Sequence, residues 1–423
     1  MSATLNQIDQ AWTELKLIAG EHMRPAIMSD AVDGVQPSGV IAPATTQEVA
    51  EILRYCNAAG LAAIPRGGGT KLWLGDRTQK ADFVLSTERL NQVIEHAAGD
   101  MTATVEAGCT IDKFQQTLKE HGQRLAADPM WPDASTVGGL LATAESGTLR
   151  IRYGAVRDLV LGLELVLADG SVIKAGGKVV KNVAGYDLTK LAIGSLGTLG
   201  VITRAVFRLH PIPVATATYS TTLPSASEAN QLVLAILNSQ LGYTGVQIRA
   251  TGADAFAVDI RFEGIPESLQ DQFLKLQKVA GAVAFSSAGE VWAARQELFD
   301  SATSSMICKC SVLPAQIGSL CDAIFQQAAS VAASATLVAQ GTGILEMRLD
   351  ADGAAPLART LHGLRAHVGS LQGTLIVQWC PLSMKEGLDV WGPIGDALPL
   401  MNEIKKKFDP ARILNPGRFV GAI

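Results

Sequence analysis

Three consecutive glycines, Gly67-Gly68-Gly69, stand at the end of a pattern that reads strand, helix, strand, and that juncture constrains the fold more than any other feature. Val40 and Ile41 read as a short strand closed by Pro43. Thr45 and Glu48 make an S/T-x-x-E capping box, after which Val49, Ile52, Leu53 and Cys56 recur at helical spacing. Gly60 suits a left-handed C-cap, and Leu61 to Pro65 reads as the next strand. This βαβ unit runs directly into Arg66-Gly67-Gly68-Gly69-Thr70. Glycines there free the backbone to take φ > 0 and to approach a ligand closely, and successive N–H groups in such a loop form an anion-binding nest. Alone, residues 65–71 are equally a tight turn, since the chain holds 41 glycines. The spacing is neither that of a Rossmann fingerprint nor that of a Walker loop.

Two further small-residue segments follow in order. Asp128-Pro129 leads to Ser135-Thr136-Val137-Gly138-Gly139, then to Ala142-Thr143-Ala144 and Gly147. Later, Gly194-Ser195-Leu196-Gly197-Thr198-Leu199-Gly200 feeds the apolar run Val201-Ile202-Thr203. Each segment alone is as well explained by a turn as by a ligand. Between them, Phe83–Leu85 and Thr102–Ala107 read as strands, and Phe114 and Leu118 suit the buried face of a short helix. Leu159–Leu167 and Ser171–Ala175 read as a hairpin across Asp169-Gly170. Val201–Leu209 reads as a strand, and Pro211 with Pro213 marks a domain exit. Beyond it, helical patterns near 226–237, 267–280, 314–329 and 354–368 alternate with strands near 246–250, 255–261, 307–313, 343–349 and 374–380. That texture predicts an α+β sheet with helices on one face. The stretch from Glu403 to Phe419 reads as loop and turn, Lys405-Lys406-Lys407 as the polar end of a helix, and no internal repeat is visible.

The three loops in this order resemble the PCMH family, the FAD-binding domain of the vanillyl-alcohol-oxidase type: P-x-G-G-G-T, then D-P…S-T-x-G-G, then G-S-x-G-T-L-G-V-I-T, over roughly Val32 to Pro213. Within it, Gly176-Gly177-Lys178 with Lys181-Asn182-Val183-Ala184-Gly185-Tyr186-Asp187-Leu188, and the tail Phe408-Asp409-Pro410…Ile413-Leu414-Asn415-Pro416-Gly417-Arg418-Phe419, are similar to the FAD-binding E-type subunits of glycolate oxidases. The resemblance implies a two-subdomain PCMH-type FAD-binding domain (32–213) after an N-terminal helical extension (1–31). A smaller ferredoxin-like α+β cap domain (214–395) and a C-terminal segment returning to the FAD domain (396–423) complete the expected architecture. It implies that Pro65, Arg66, Gly67, Gly68, Gly69, Thr70 and Lys71 hold the FAD pyrophosphate. Pro129, Ser135, Thr136, Gly138, Gly139, Ala142, Thr143, Glu145, Gly147, Gly197, Thr198, Gly200, Val201 and Ile202 would line the rest.

Departures from the family carry equal weight. Some members tether FAD through a His near the glycine loop; here the six His are at 22, 96, 121, 210, 362 and 367, so FAD is expected to be non-covalent. Leu196 replaces the family's Glu. Val338-Ala339-Gln340-Gly341-Thr342-Gly343-Ile344-Leu345 stands where free-standing D-lactate and D-2-hydroxyglutarate dehydrogenases carry H-x-G-D-G-N-x-H. Without those imidazoles no metal is expected there, and no catalytic residue is assigned. Arg348 reads either as a carboxylate clamp or as half of an internal ion pair.

The resemblance implies an FAD-binding subunit of a 2-hydroxy-acid (glycolate) dehydrogenase/oxidase complex. It would pass reducing equivalents from a small 2-hydroxy acid, via flavin, to a second flavoprotein subunit and an iron–sulfur subunit. A stand-alone FAD-dependent dehydrogenase and a non-catalytic assembly subunit stay open beside it. Composition narrows the partners. A net charge of -5 argues against nucleic acid. The longest uncharged stretch, Ala323 to Leu345, is too rich in Ser, Gln, Thr and Gly to span a bilayer. No secretory pattern opens the chain, so a cytoplasmic protein with at most peripheral membrane contact through partners is expected. None of the six cysteines has C-x-x-C spacing, which argues against a metal or iron–sulfur site in this chain.

Overall fold

The computed structural model describes residues 5–177, 187–300, 302 and 304–423. It divides into two compact units, one of Met1–Ser146, Gly154–Ile212 and Pro393–Ile423, the other of Gly147–Tyr153 and Pro213–Gly392. The E-type motif over residues 178–186 lies outside the described residues.

The first unit opens with β1 (Met23–Pro25), β2 (Gly39–Ile41), β3 (Ala63–Arg66) and β4 (Phe83–Ser86), which form a sheet of order β1-β2-β4-β3. β2, β4 and β3 run parallel, and β1 pairs antiparallel at the edge. The parallel step from β2 to β3 needs a crossover, supplied by the helix Thr46–Ala59. Thr45 caps it by accepting from Glu48 N at 3.1 Å, while the Glu48 carboxylate accepts from Ala44 N at 2.8 Å. Gly60, at φ 64°, ends it. Its stripe of Val49, Ile52, Leu53 and Cys56 is buried against Phe83, Leu85 and Leu15. Thr45→Ala, which removes one cap, is expected to cost about 1 kcal/mol in denaturant unfolding.

A second sheet follows: β5 (Val93–Ala97), β6 (Thr102–Glu106), then, beyond the short β7 (Gln123–Arg124), β8 (Val160–Val166), β9 (Val172–Gly176) and β10 (Val201–Arg208). Its order is β5-β6-β10-β8-β9, all antiparallel. β11 (His210–Pro211) pairs with β7. Glu164 joins the two subdomains. Its buried carboxylate accepts from Thr46 Oγ1 at 2.6 Å and Thr203 Oγ1 at 3.0 Å.

The C-terminal stretch differs from its reading as loop and turn. Leu398–Phe408 is a helix that runs through the lysines, and Lys405, read as part of a polar helix end, is wholly buried. After the helix the tail adds to the open edge of β3: Ala63 N donates to Ile413 O and Asn415 N to Ala63 O.

The second unit holds β12 (Ala215–Leu223), β13 (Tyr243–Ala250), β14 (Phe256–Gly264), β15 (Ser286–Ser287), β16 (Ser305–Ser311), β17 (Ser334–Gln340), β18 (Ile344–Asp350) and β19 (Thr374–Trp379). They form an antiparallel sheet of order β15-β12-β14-β13-β17-β18-β16-β19. Four helices, Ala226–Leu237, Pro266–Ala280, Ile317–Ser330 and Ala354–Ser370, share one core with alternate strand residues such as Ile248, Val258, Cys308 and Met347. Each half reads βαββαβ, and the order is mirrored about the β13–β17 seam, so the unit is two ferredoxin-like motifs joined edge to edge. This corrects the reading of no internal repeat. The repeat lies in the order of strand pairing, which depends on hydrophobic patterning rather than on residue identity. β12 differs from its reading as a connection because Ala, Thr and Ser fill most of it, with Leu223 its one strongly apolar aliphatic residue. No helix among the described residues is long and apolar enough to cross a membrane.

Candidate functional site

β3 delivers its last residue, Arg66, to a fixed place. The Arg66 guanidinium donates to Asp30 Oδ1 at 2.8 Å, and Arg24 donates to the same carboxylate at 2.7 Å and 3.0 Å. The hydrogen bond from Arg24, joined by those from Ile27 N and Arg66, holds the Asp30 carboxyl well below the usual carboxylate range. Burial works against ionisation of Glu164, but the hydroxyls of Thr46 and Thr203 bring its pKa down on balance. Groups depressed in the folded state stabilise fully above their unfolded pKa, and that contribution is lost as pH falls through the folded values. The melting temperature is therefore expected to drop between about pH 5 and about pH 2. Asp30→Asn should lower it at neutral pH and flatten the acid slope; an unchanged slope would remove Asp30 from this account.

Beyond Arg66 the loop turns through Gly69, at φ +74°. Among the described residues no protein acceptor reaches the N–H groups of Gly67, Gly68, Gly69 or Thr70. Thr70 Oγ1 lies 3.3 Å from Ser135 Oγ, which ties this loop to the second segment. There Thr136 caps the short helix Val137–Ala142 through Gly139 N, and Glu145 accepts from Met130 N while pairing with the Lys71 ammonium. The third loop is hung from that helix: Gly194 N donates to Leu141 O and Leu196 N to Ala142 O, both at 2.9 Å. Leu196 and Gly197 both take positive φ, 52° and 69°.

These loops enclose one narrow groove. Two cavities of about 70 Å³ each share Pro65, Arg66, Gly67, Gly139, Ala142 and Leu196. A third, of about 540 Å³, adjoins them across Arg66, Gly67, Gly68, Gly69, Leu72 and Thr136. The approach demands glycine: a Cβ on Gly67 would sit 2.0 Å from Thr136 Oγ1, and one on Gly68 only 1.8 Å from Ala134 O. Of the residues singled out in the sequence, Pro65, Arg66, Gly67, Gly68, Gly69, Thr70, Lys71, Thr136, Gly138, Gly139, Ala142, Thr143, Gly197, Gly200, Val201 and Ile202 line these cavities. Pro129, Ser135, Glu145 and Thr198 do not, and Gly147 falls in the other unit. Leu196, at the start of the third expected segment, lines them too, as does Arg418, and Leu72, Thr87 and Asn415 do so without having been foreseen. A wider concavity of about 670 Å³, between Ile8, Lys80, Asp82 and the tail, touches none of the three loops.

Sequence reasoning also missed the group behind the groove. Lys405 Nζ donates to Thr198 O (2.8 Å), Asp409 Oδ2 (2.7 Å) and Leu414 O (3.0 Å), so all three of its hydrogens are used. Burial lowers its pKa, with Asp409 pulling the other way. Asp409 also accepts from Ile413 N and Leu414 N. The run F-D-P…I-L-N-P-G was the available signal, but nothing in it states which oxygens a lysine would reach.

In the second unit, Val338–Leu345 occupies the end of β17, its turn and the start of β18. Among the described residues no group of three or more His, Cys, Asp or Glu could hold a metal ion. Beside it Glu346 is buried next to Arg295 (3.7 Å), accepts from Gln378 Nε2 at 3.3 Å, and faces Lys309 in register. Burial lowers the Lys309 pKa, and Glu346 opposes that shift. Arg348 is paired with Asp350 at 2.9 Å, the internal ion-pair alternative.

Residues 37–176 match the model of an FAD binding domain, and residues 394–419 match the C-terminal domain of FAD linked oxidases. The chain is 37% identical over 205 residues to glycolate oxidase subunit GlcD of Bacillus subtilis, covering 48% of this chain and 44% of that one. It is 36% identical over 202 residues to a D-lactate dehydrogenase of Archaeoglobus fulgidus, covering 48% and 45%. In fold it is similar to p-cresol methylhydroxylase (TM-score 0.77, 16% identity, 98% of this chain and 97% of that one). The chain therefore carries an FAD binding domain over residues 37–176 and a segment matching the C-terminal domain of FAD linked oxidases, in a fold of the p-cresol methylhydroxylase type, and its cofactor is FAD. About half of its sequence is thus similar to proteins named as a glycolate oxidase subunit and as D-lactate dehydrogenases. It aligns with less than half the length of these curated relatives.

Proposed function

We propose that the chain is the FAD-binding subunit of a 2-hydroxy-acid dehydrogenase complex of the glycolate type. Its flavin site is the groove described above. The observation that carries this is the run of four N–H groups, Gly67 to Thr70, that no acceptor among the described residues claims where three small-residue loops meet. Such a nest suits the pyrophosphate of a dinucleotide. The ammonium of Lys71 neutralises Glu145, which keeps an unpaired carboxylate away from bound phosphates. Among the described residues no His, Cys or Tyr lines the groove, which supports a non-covalently held cofactor. When bound, FAD supplies the capacity to accept reducing equivalents from a hydroxy acid. The protein's own part is to bind, orient and shield it.

Dependence on partners is supported by what replaces the metal-binding motif. Val338–Leu345 offers no imidazole, and Arg348, the guanidinium a stand-alone enzyme would need for a substrate carboxylate, is engaged by Asp350. A second flavoprotein subunit with the full motif and an iron–sulfur subunit would complete the assembly. The test is anaerobic bleaching of the flavin band. The purified chain is expected to be yellow and to stay oxidised with glycolate or D-lactate until the partner subunits are added. Turnover by the chain alone at about 1–10³ s⁻¹ would instead make it a self-sufficient dehydrogenase.

A further inference from the structure

Three buried side chains from one short stretch of the tail reach main-chain carbonyls on both walls of the groove. Asn415 Nδ2 donates to Leu196 O at 2.6 Å, and Lys405 Nζ to Thr198 O at 2.8 Å, both on the third loop. Arg418 Nη2 donates to Leu72 O at 2.6 Å and Leu74 O at 2.9 Å, just beyond the glycine loop. The three residues are 1%, 0% and 3% exposed, so water does not compete for these bonds. Packing is equally close: a Cβ on Gly75 would lie 2.4 Å from Arg418 O, whose oxygen already accepts from Asp76 N.

The direction of these bonds matters. In a trans peptide the C=O and the following N–H point opposite ways. By holding Leu196 O on the tail side, Asn415 turns the N–H of Gly197 away from the tail. Gly197 lines the groove, and among the described residues no protein acceptor takes that N–H. Asn415 itself sits at φ 45°, a conformation asparagine tolerates better than most residues. The tail thus occupies the carbonyl side of the loops and leaves donors for the ligand side.

We infer that Asn415 and Arg418, with Lys405 behind them, are positioning residues for the cofactor: they form a clip that sets the spacing and peptide orientation of the two loops that bind FAD. The inference rests on the reading of the groove as the flavin site. It gives the C-terminal segment a part in holding the cofactor as well as in closing the edge of β3.

The test uses the full chain stripped of FAD and titrated with FAD, followed by flavin fluorescence and by visible circular dichroism of the bound flavin. Asn415→Gly keeps the backbone conformation and removes both the Nδ2 donor to Leu196 O and the Oδ1 acceptor of Arg418 Nη1. It is expected to weaken FAD binding about tenfold, the loss of one well-made buried hydrogen bond, and to change the flavin dichroism. The melting temperature of the FAD-free chain should fall as well, since the bond lies within the protein, and the altered dichroism of the bound flavin is what separates positioning from lost stability. Arg418→Met should weaken binding further, with Arg418→Lys recovering part of the loss through one carbonyl. Variants that bind within about twofold of the parent with unchanged dichroism would overturn the clip while leaving the groove assignment standing. A parent chain that takes up no FAD would overturn both.

Discussion

Replacing Gly68 by alanine is expected to cost the protein most of its hold on FAD. The added methyl would lie 1.8 Å from Ala134 O and 2.9 Å from Ala134 C, and both are backbone atoms that no rotamer change can clear. Ala134 is itself fixed, because Ala134 N and Ser135 N both donate to Trp131 O and Ser135 O accepts from Ile111 N. The glycine loop must therefore move off the second segment, which separates the donors of Gly67 to Thr70 from the Thr136 wall. Overpacking of this kind costs about 1–3 kcal/mol, or roughly ten- to hundredfold in affinity. The clash with main chain places Gly68→Ala at the upper end. Gly69→Ala makes the comparison: at φ +74° it is strained, but its nearest neighbour is 3.7 Å away. It should lose about tenfold or less, from strain of about 1 kcal/mol. A fluorescence titration ranking Gly69→Ala as the more damaging would mean that backbone strain, and not contact between the loops, governs this site.

The second large effect is expected at Lys405. Lys405→Met keeps the length of the side chain and removes its charge, leaving the Asp409 carboxylate in a site with no exposure to solvent. Breaking a buried pair from one side costs about 3–5 kcal/mol, because the remaining charge has no solvent and no opposite charge, and keeps only the N–H groups of Ile413 and Leu414. The main-chain oxygens of Thr198 and Leu414 lose their donor as well. Denaturant unfolding should show the loss, and the double change Lys405→Met with Asp409→Asn should recover part of it, since an amide is less costly to bury than an unpaired carboxylate. A single variant that loses less than about 1 kcal/mol would place Lys405 among ordinary surface pairs.

Those two positions differ in how visible they were beforehand. Gly68 lies in a triplet that follows a βαβ pattern, and the need for a residue without Cβ is written at the position itself. The same holds for Thr45 and Gly60 at the helix ends, and for the alternation that marked β10 and β14. Lys405 reads as one of three like charges at the end of a helix. Its partner Asp409 is one turn away, but Thr198 O is 207 residues distant in sequence, and Asn415 and Arg418 reach across 219 and 346. No local pattern encodes which carbonyl a distant side chain will meet.

The strand order of the second unit divides in the same way. Its helices and most of its strands follow from periodicity, because a helix and a strand each satisfy their own backbone and their own apolar stripe. That β13 pairs with β17 and makes two ferredoxin-like halves into one continuous sheet depends on which edges are left open once the helices have covered one face. The sequence by itself determined the three small-residue loops, the caps and the alternation of elements, and with them the class of protein, because each is a requirement of local geometry on a few neighbouring residues. Only the tertiary structure decided that Asn415, Lys405 and Arg418 reach main-chain carbonyls beside the groove, that Lys405 is buried, and that Pro129, Ser135, Glu145 and Thr198 do not line the cavities. Those outcomes depend on close packing and on satisfying buried polar groups across long sequence separations, and such constraints exist only once the chain has folded.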